Sequence, residues 1–408
     1  MPGILSKVRS HNRWRLEECL NLIPSENVSS PQVREILSSD LGHRYTLPFH
    51  DYVHGVYVEN AYRGTRYFDE IEEIGEKLAT DVFGAKYASL KPLSGHVSGL
   101  MALIATCRRG DSILTISPEH GGYDGYWKGY MPHILGLDAS ALPFSEEEWN
   151  MNHEECAKEI VRKKPALVVI GASFILFPYR LDILREACEE SGSLLGYDAS
   201  HVLGLIAGGE FQNPIQEGVD IVYGSTHKSL FGPQGGMILT NREDLNQTIT
   251  ETTYWKVMDN THGHRIAALA QALLEVKEFG KSYAKQVIAN SKALAKGLDV
   301  GGFPIKYRDK GYTECHQMLV DTEKVQEEMG FTPHEYSCKL EESNLILGSV
   351  GRVGTCELTR MGADEKTMGK VADLICRTLR GEKTKPDVFE LRSTLKMKYF
   401  FEEQEPPE

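Results

Sequence analysis

The chain has 408 residues, 41% hydrophobic and 25% charged, which is a globular composition long enough for a large core and two domains. A net charge of -13 with a pI near 5.6 argues against a general nucleic-acid binder, and no long block of Lys and Arg occurs. No run approaches the roughly eighteen apolar residues of a membrane span, the opening residues lack the apolar core of a secretory signal, and the eight cysteines include no C-x-x-C pair. Reduced thiols in a cytoplasmic setting are therefore expected, with neither a disulfide framework nor a metal site.

The first forty residues read as helix (12–20), loop and helix (31–38). Residues 69–83 carry Ile71, Ile74, Leu78 and Val82 at helical spacings of three and four. Ser94-Gly95-His96 opens an apolar helix over 97–107, and 112–116 reads as a strand. A helix closes at 158–162, and the continuous run Ala166-Leu-Val-Val-Ile170 predicts a strand buried on both faces, as in a parallel sheet. Residues 182–190 predict a helix, 193–198 a strand, and 221–223 and 237–240 further short strands. This alternation implies an α/β fold: a mostly parallel central sheet with helices on both faces. A long helix over 267–298 is broken at Gly301-Gly302. A smaller C-terminal α/β domain follows, with a strand at 317–320, a helix at 334–344, a strand region at 352–359 and a helix at 364–378. The expected division is an N-terminal segment 1–40, a large cofactor domain 41–275, a small domain 276–385 and a charged tail 386–408.

The chemistry concentrates in Tyr223-Gly-Ser-Thr-His-Lys228-Ser-Leu-Phe-Gly-Pro-Gln-Gly-Gly236 and, upstream, Leu194-Leu-Gly-Tyr-Asp198-Ala-Ser-His201. A lysine before a glycine-rich turn and an acid at the end of a buried strand are what pyridoxal 5'-phosphate (PLP) requires. The lysine forms a Schiff base with the aldehyde, and the acid keeps the pyridine nitrogen protonated so that the ring serves as an electron sink. In parallel sheets ligands sit beyond the carboxyl ends of the strands, where Asp198 and Lys228 fall.

Across residues 22–380 the chain resembles the serine hydroxymethyltransferase family of fold-type I PLP enzymes. The matching motifs are Leu22-Ile-Pro-Ser-Glu-Asn27, Ser94-Gly95, Tyr197-Asp-Ala-Ser-His201-Val-Leu-Gly204, Gly224-Ser-Thr-His-Lys228, Gly232-Pro-Gln-Gly-Gly236, Gly351-Arg-Val-Gly-Thr355 and Thr359-Arg-Met-Gly362. The resemblance implies that Lys228 is the Schiff-base lysine, that Asp198 pairs with the pyridinium nitrogen, and that His201 lies beside the ring. Ser173 is implied near the ring's phenolic oxygen, and Ser94, Gly95 and His96 around the phosphate at a helix N-terminus. Ser225 and His227, flanking the lysine, complete the cofactor set. Arg352, with Ser25, is implied to bind the substrate carboxylate, which suits its planar fork of donors. Tyr45 and Tyr62 are implied to act across a homodimer interface with shared active sites.

Four positions depart from the family pattern. Leu47 stands where a proton-handling glutamate is expected, and leucine transfers no proton. His50, Asp51, His54 and Glu59 are the polar residues of the altered loop that offer a replacement. Tyr123, in His120-Gly-Gly-Tyr123, replaces the histidine that stacks on the ring, and an aromatic ring keeps the stacking ability. Ala61 replaces a tyrosine that packs on folate, and His96 replaces a serine. The resemblance implies a small amino-acid substrate and cleavage or formation of the Cα–Cβ bond of a β-hydroxy-α-amino acid, with tetrahydrofolate use in question. The alternatives are a folate-independent aldolase or transaldolase, an aminotransferase or other PLP chemistry on the same scaffold, and a catalytically silent PLP-binding paralogue.

Overall fold

A computed structural model describes residues 3–402. The chain divides into a large unit, Ser29–Lys281, and a small unit made of the residues up to Val28 and those from Ser282 onwards.

The large unit is built on a seven-stranded sheet. In chain order its strands are β1 (Tyr87–Ser89), β2 (Ser112–Thr115), β3 (Asp138–Ala141), β4 (Leu167–Ile170), β5 (Leu194–Asp198), β6 (Ile221–Ser225) and β7 (Gly236–Thr240). Their order across the sheet is β1-β7-β6-β5-β4-β2-β3. Strand β7 runs antiparallel to both neighbours, and the other pairings are parallel. All four residues of β4 are fully buried, as its unbroken apolar run requires. Side chains of β2, β4, β6 and β7 share one core with Met101 and Leu103 of helix α1 (Gly95–Thr106). Ser94 caps α1, its Oγ accepting from the Val97 amide at 3.1 Å.

The sheet register explains why the functional residues gather. Strands β5 and β6 pair in parallel with Asp198 opposite Tyr223, so both end at the same edge. The chain then turns at Ala199, whose amide donates to the Tyr223 carbonyl at 2.7 Å. The turn after β6 is closed by Thr226, whose amide donates to the Gly235 carbonyl (3.1 Å) and whose hydroxyl donates to Pro233 (2.8 Å).

In the small unit, β8 (Gln317–Leu319) and β9 (Arg352–Gly354) pair antiparallel, and Leu20–Asn21 pairs in parallel with Leu345–Ile346. Their core includes Leu22, Phe303, Met318, Tyr336, Val353 and the apolar face of helix α2 (Glu365–Leu379). Gln317, 0% exposed, lies in β8 opposite Gly354.

Several expectations change. The first helix spans Ile4–Arg13 and continues as a π-helical turn to Glu18, ending where Leu20 joins its strand pair. The predicted strand over 352–359 stops at Gly354: Cys356–Arg360 is helical, with the Thr359 amide donating to Thr355. Residues after Gly381 are not only a charged tail, because Lys385–Thr394 forms a helix with Val388 and Leu391 buried. Residues 3–28 join the small unit instead of forming a separate segment to residue 40, since Leu20 and Leu22 pack into its core. No described helix is long and apolar enough to cross a membrane, and no three metal-ligating side chains cluster among the described residues. All eight cysteines are free, and Cys338 alone is exposed. Burial raises the other seven thiols above their ordinary range.

Candidate active site

A cavity opens in the large unit, lined by residues from the carboxyl ends of β4, β5 and β6 and the start of α1. Lys228, Asp198, His201, Ser173, Ser225, Gly95, His96 and Tyr123 all border it. Lys228 Nζ lies 3.4 Å from His201 Nε2, and His201 is 4% exposed. The segment that carries His201 is tied to the lysine turn by the Gly204 amide, which donates to Ser229 Oγ at 3.0 Å.

Asp198 is held from two sides. The Ser200 amide donates to Oδ1 at 2.9 Å, and the Tyr126 hydroxyl donates to Oδ2 at 2.8 Å. Burial and the neighbouring Asp198 charge push the Tyr126 phenol well above its ordinary pKa, so it remains a donor. Tyr123 shifts upward for the same two reasons. Its ring meets Tyr126 edge-on at 5.6 Å.

His227 precedes the lysine. Burial, then the Lys228 charge, lowers its pKa to about 4, so it is neutral near pH 7. Its Nδ1 is buried and has no hydrogen-bond partner among the described residues. Gly95 presses against Ser225: a Cβ there would sit 2.1 Å from Ser225 Oγ, so only glycine lets the helix start this close to β6. The capped N-terminus of α1, whose Gly95 and His96 border the cavity, is chemically suited to an anion. With a lysine amine, a strand-end carboxylate and a ring-sized space alongside, the residues fit PLP.

The other expected residues lie elsewhere. Tyr45 and Tyr62 do not line the cavity; they are exposed, with ring centroids 5.5 Å apart. Buried Asn60 organises their segments, accepting from the amides of Leu47 (3.2 Å) and Tyr62 (3.0 Å) and donating to Thr46 Oγ1 (2.9 Å). The Ala61 amide donates to the Leu47 carbonyl at 2.9 Å, so two of the departures face each other at the base of the hairpin Pro48–Val53/Val56–Asn60. His54 and Glu59 are exposed on that hairpin, while the side chains of His50 and Asp51 lie outside the described residues. Arg352 and Ser25 belong to the small unit, where the Gly354 amide of β9 donates to the Leu22 carbonyl at 2.8 Å. Burial lowers the Arg352 pKa to about 10, which leaves it charged.

Sequence reasoning missed Tyr126 and Ser200, which fix Asp198. It also missed Arg265, a 5% exposed cation that donates to the carbonyls of Leu90 and Lys91, each at 2.8 Å, on the segment leading to Ser94. The only local hint was the glycine- and tyrosine-rich run Gly121-Gly-Tyr-Asp-Gly-Tyr126.

Comparison with known proteins agrees with this geometry. The family model described as serine hydroxymethyltransferase matches residues 4–375. A serine hydroxymethyltransferase of Methanopyrus kandleri is 40% identical over 98% of this chain and 95% of its own length. That of Methanocaldococcus jannaschii is 37% identical over 95% and 91%. Among solved structures, L-threonine transaldolase from Pseudomonas fluorescens in its internal aldimine state superposes with a TM-score of 0.87, at 24% identity, over 97% of this chain and 93% of that one. The chain therefore belongs to the serine hydroxymethyltransferase family of PLP-dependent transferases, with the fold-type I architecture.

Proposed function

We propose that the cavity around Lys228 binds PLP and makes or breaks the Cα–Cβ bond of a small β-hydroxy-α-amino acid of the serine or threonine type. The observation that carries this reading is the convergence of Lys228, His201 and a doubly held Asp198 on one cavity at the strand ends. When bound, PLP supplies an aldehyde for an amine and a protonated ring that takes up the electrons of the broken bond. Lys228 would provide the amine that holds the cofactor's aldehyde. Asp198, oriented by Tyr126 and Ser200, keeps the ring nitrogen protonated. Gly95, His96, Ser94, Ser225 and neutral His227 take the phosphate, and Ser173 and His201 flank the ring. Arg352 and Ser25 hold the substrate carboxylate and so fix which bond is cleaved.

Tyr45 and Tyr62 serve the site of a second copy. An apolar groove on the large unit supports a homodimer: Ile71, Ile74, Leu78, Ala267, Ala270 and Leu274 line it, with Ile74 58% and Leu274 41% exposed. The eight free thiols support a cytoplasmic location.

A second reading, folate-independent aldolase or transaldolase activity, is favoured by the Leu47–Ala61 pair, which offers no group that transfers a proton. Glycine release from L-serine and from L-threonine, with and without tetrahydrofolate, separates the two. Folate-dependent release from serine supports hydroxymethyl transfer, and folate-independent release supports the aldolase. Replacing Lys228 by alanine should abolish the Schiff-base absorbance of the PLP-loaded protein and leave only that of the free aldehyde. Persistence of the Schiff-base absorbance would overturn the lysine assignment.

A further inference from the structure

Two of the positions that depart from the family pattern meet inside the cavity. His96 stands where a serine is usual, and Tyr123 where a histidine is usual. His96 Nδ1 lies 2.9 Å from the Tyr123 hydroxyl, with the rings edge-on at 6.1 Å and 80°. We propose that His96 is a positioning residue: through this hydrogen bond it holds the Tyr123 ring at the cofactor face, so that one residue of the phosphate-binding turn also orients the stacking aromatic. The proposal rests on the PLP reading above.

Three features of the geometry support it. First, His96 is the second residue of α1, where backbone amides find no acceptor within the helix, while Ser94 already serves Val97. Its backbone is thereby committed to the anion side of the cavity and its imidazole to Tyr123. Second, Tyr123 is confined on its other sides. A Cβ on Gly125 would lie 2.4 Å from Tyr123 Cε1, so that residue is reduced to hydrogen to admit the ring. The ring's edge contact with Tyr126 leads directly to the 2.8 Å bond on Asp198. Once these contacts are made, the hydroxyl direction is the remaining freedom, and His96 fixes it. Third, the upward shift of the Tyr123 phenol keeps its hydroxyl protonated, so it can pair with the His96 ring nitrogen at 2.9 Å whichever tautomer the imidazole adopts. The exchange of histidine for tyrosine at the ring and of serine for histidine at the turn is then one compensated change and not two separate losses.

The alternative is an ordinary surface contact of the exposed His96 that contributes nothing. Titrating the PLP-free protein with PLP, read by visible absorbance, distinguishes them. H96A and Y123F should each weaken PLP binding by about threefold to tenfold, the effect of one hydrogen bond. The H96A/Y123F double variant should be no weaker than the weaker single, because both remove the same interaction. H96Q, which restores a hydrogen-bonding group on a side chain of similar reach, should recover most of the affinity, and the absorbance maximum should shift in H96A and return in H96Q. Unchanged affinity and spectrum in H96A, or single losses that multiply in the double variant, would overturn the proposal. If the native protein itself binds no PLP, the cofactor reading falls and takes this inference with it; a native protein that binds PLP beside an unaffected H96A sinks the inference alone.

Discussion

Replacing Tyr126 by phenylalanine removes one hydroxyl and nothing else from the interior. The two aromatic contacts of the ring, with Tyr123 at 5.6 Å and Tyr223 at 6.4 Å, survive the change. What is lost is the 2.8 Å bond to Asp198 Oδ2, leaving the carboxylate with the Ser200 amide on Oδ1. A hydrogen bond to a charged acceptor is worth about 1.5–3 kcal/mol when its partner cannot turn to water. Asp198 borders the cavity, so water can solvate its carboxylate when no ring is bound, and the PLP-free protein loses less than this. With a ring filling the space this solvation is blocked, and the full loss falls on the bound state. The difference, about 1.5 kcal/mol, predicts a PLP dissociation constant roughly tenfold higher for Y126F. The assay is an absorbance titration at fixed pH, with circular dichroism to confirm that the fold is intact. Affinity within twofold of the native protein would refute the argument that Tyr126 supports the acid.

Further outcomes follow from the same contacts. G95A forces a Cβ to within 2.1 Å of Ser225 Oγ and 2.8 Å of its amide nitrogen; overpacking of this kind costs about 1–3 kcal/mol. Urea denaturation should register the loss, and S225A in the same chain should return part of it; no return would mean the clash lies elsewhere. R265M leaves the carbonyls of Leu90, Lys91 and Thr261 without their donor and should cost at least about 2 kcal/mol by the same method. Burial, opposed by the Asn21 hydrogen bond, lifts the Glu357 carboxyl from its ordinary 4.5 to about 7. The unfolded chain therefore gives up this proton first, and between about pH 4.5 and 7 the native state loses roughly 3 kcal/mol as pH rises. E357Q should flatten that slope, so its advantage in urea midpoint over the native protein should be larger at pH 8 than at pH 5; equal slopes would rule out the carboxyl as the cause.

The parts of the fold that were readable in advance are those whose signal is local. The unbroken Leu167–Ile170 run, the Ser94 cap and the helical spacing of Ile71, Ile74 and Leu78 each carry their own period or punctuation. Lys228 and Asp198 were readable because strand ends in a parallel sheet share one edge. The direction of β7 was not, since an antiparallel strand in a buried sheet has the same apolar composition as a parallel one. The helix Cys356–Arg360 hid behind the β-prone Val353 and Thr355, and burial of Leu358 and Thr359 decided it. Tyr126 lies 72 residues from the carboxylate it holds, and nothing in either segment announces the other. The same is true of His96 and Tyr123, which looked like unrelated exceptions until the distance between them was known.

The uneven burial of the thiols makes the chain a convenient object for spectroscopy. Maleimide and iodoacetamide react with the thiolate; six of the eight cysteines are buried, Cys107 is half-buried, and burial raises the thiol pKa of all seven. Cys338, on the outer surface of the helix Pro333–Glu342, is the one that a reagent reaches. A fluorophore or spin label can therefore be attached to the small unit at a single known point without removing any native cysteine, and its signal followed as PLP and amino acids are added.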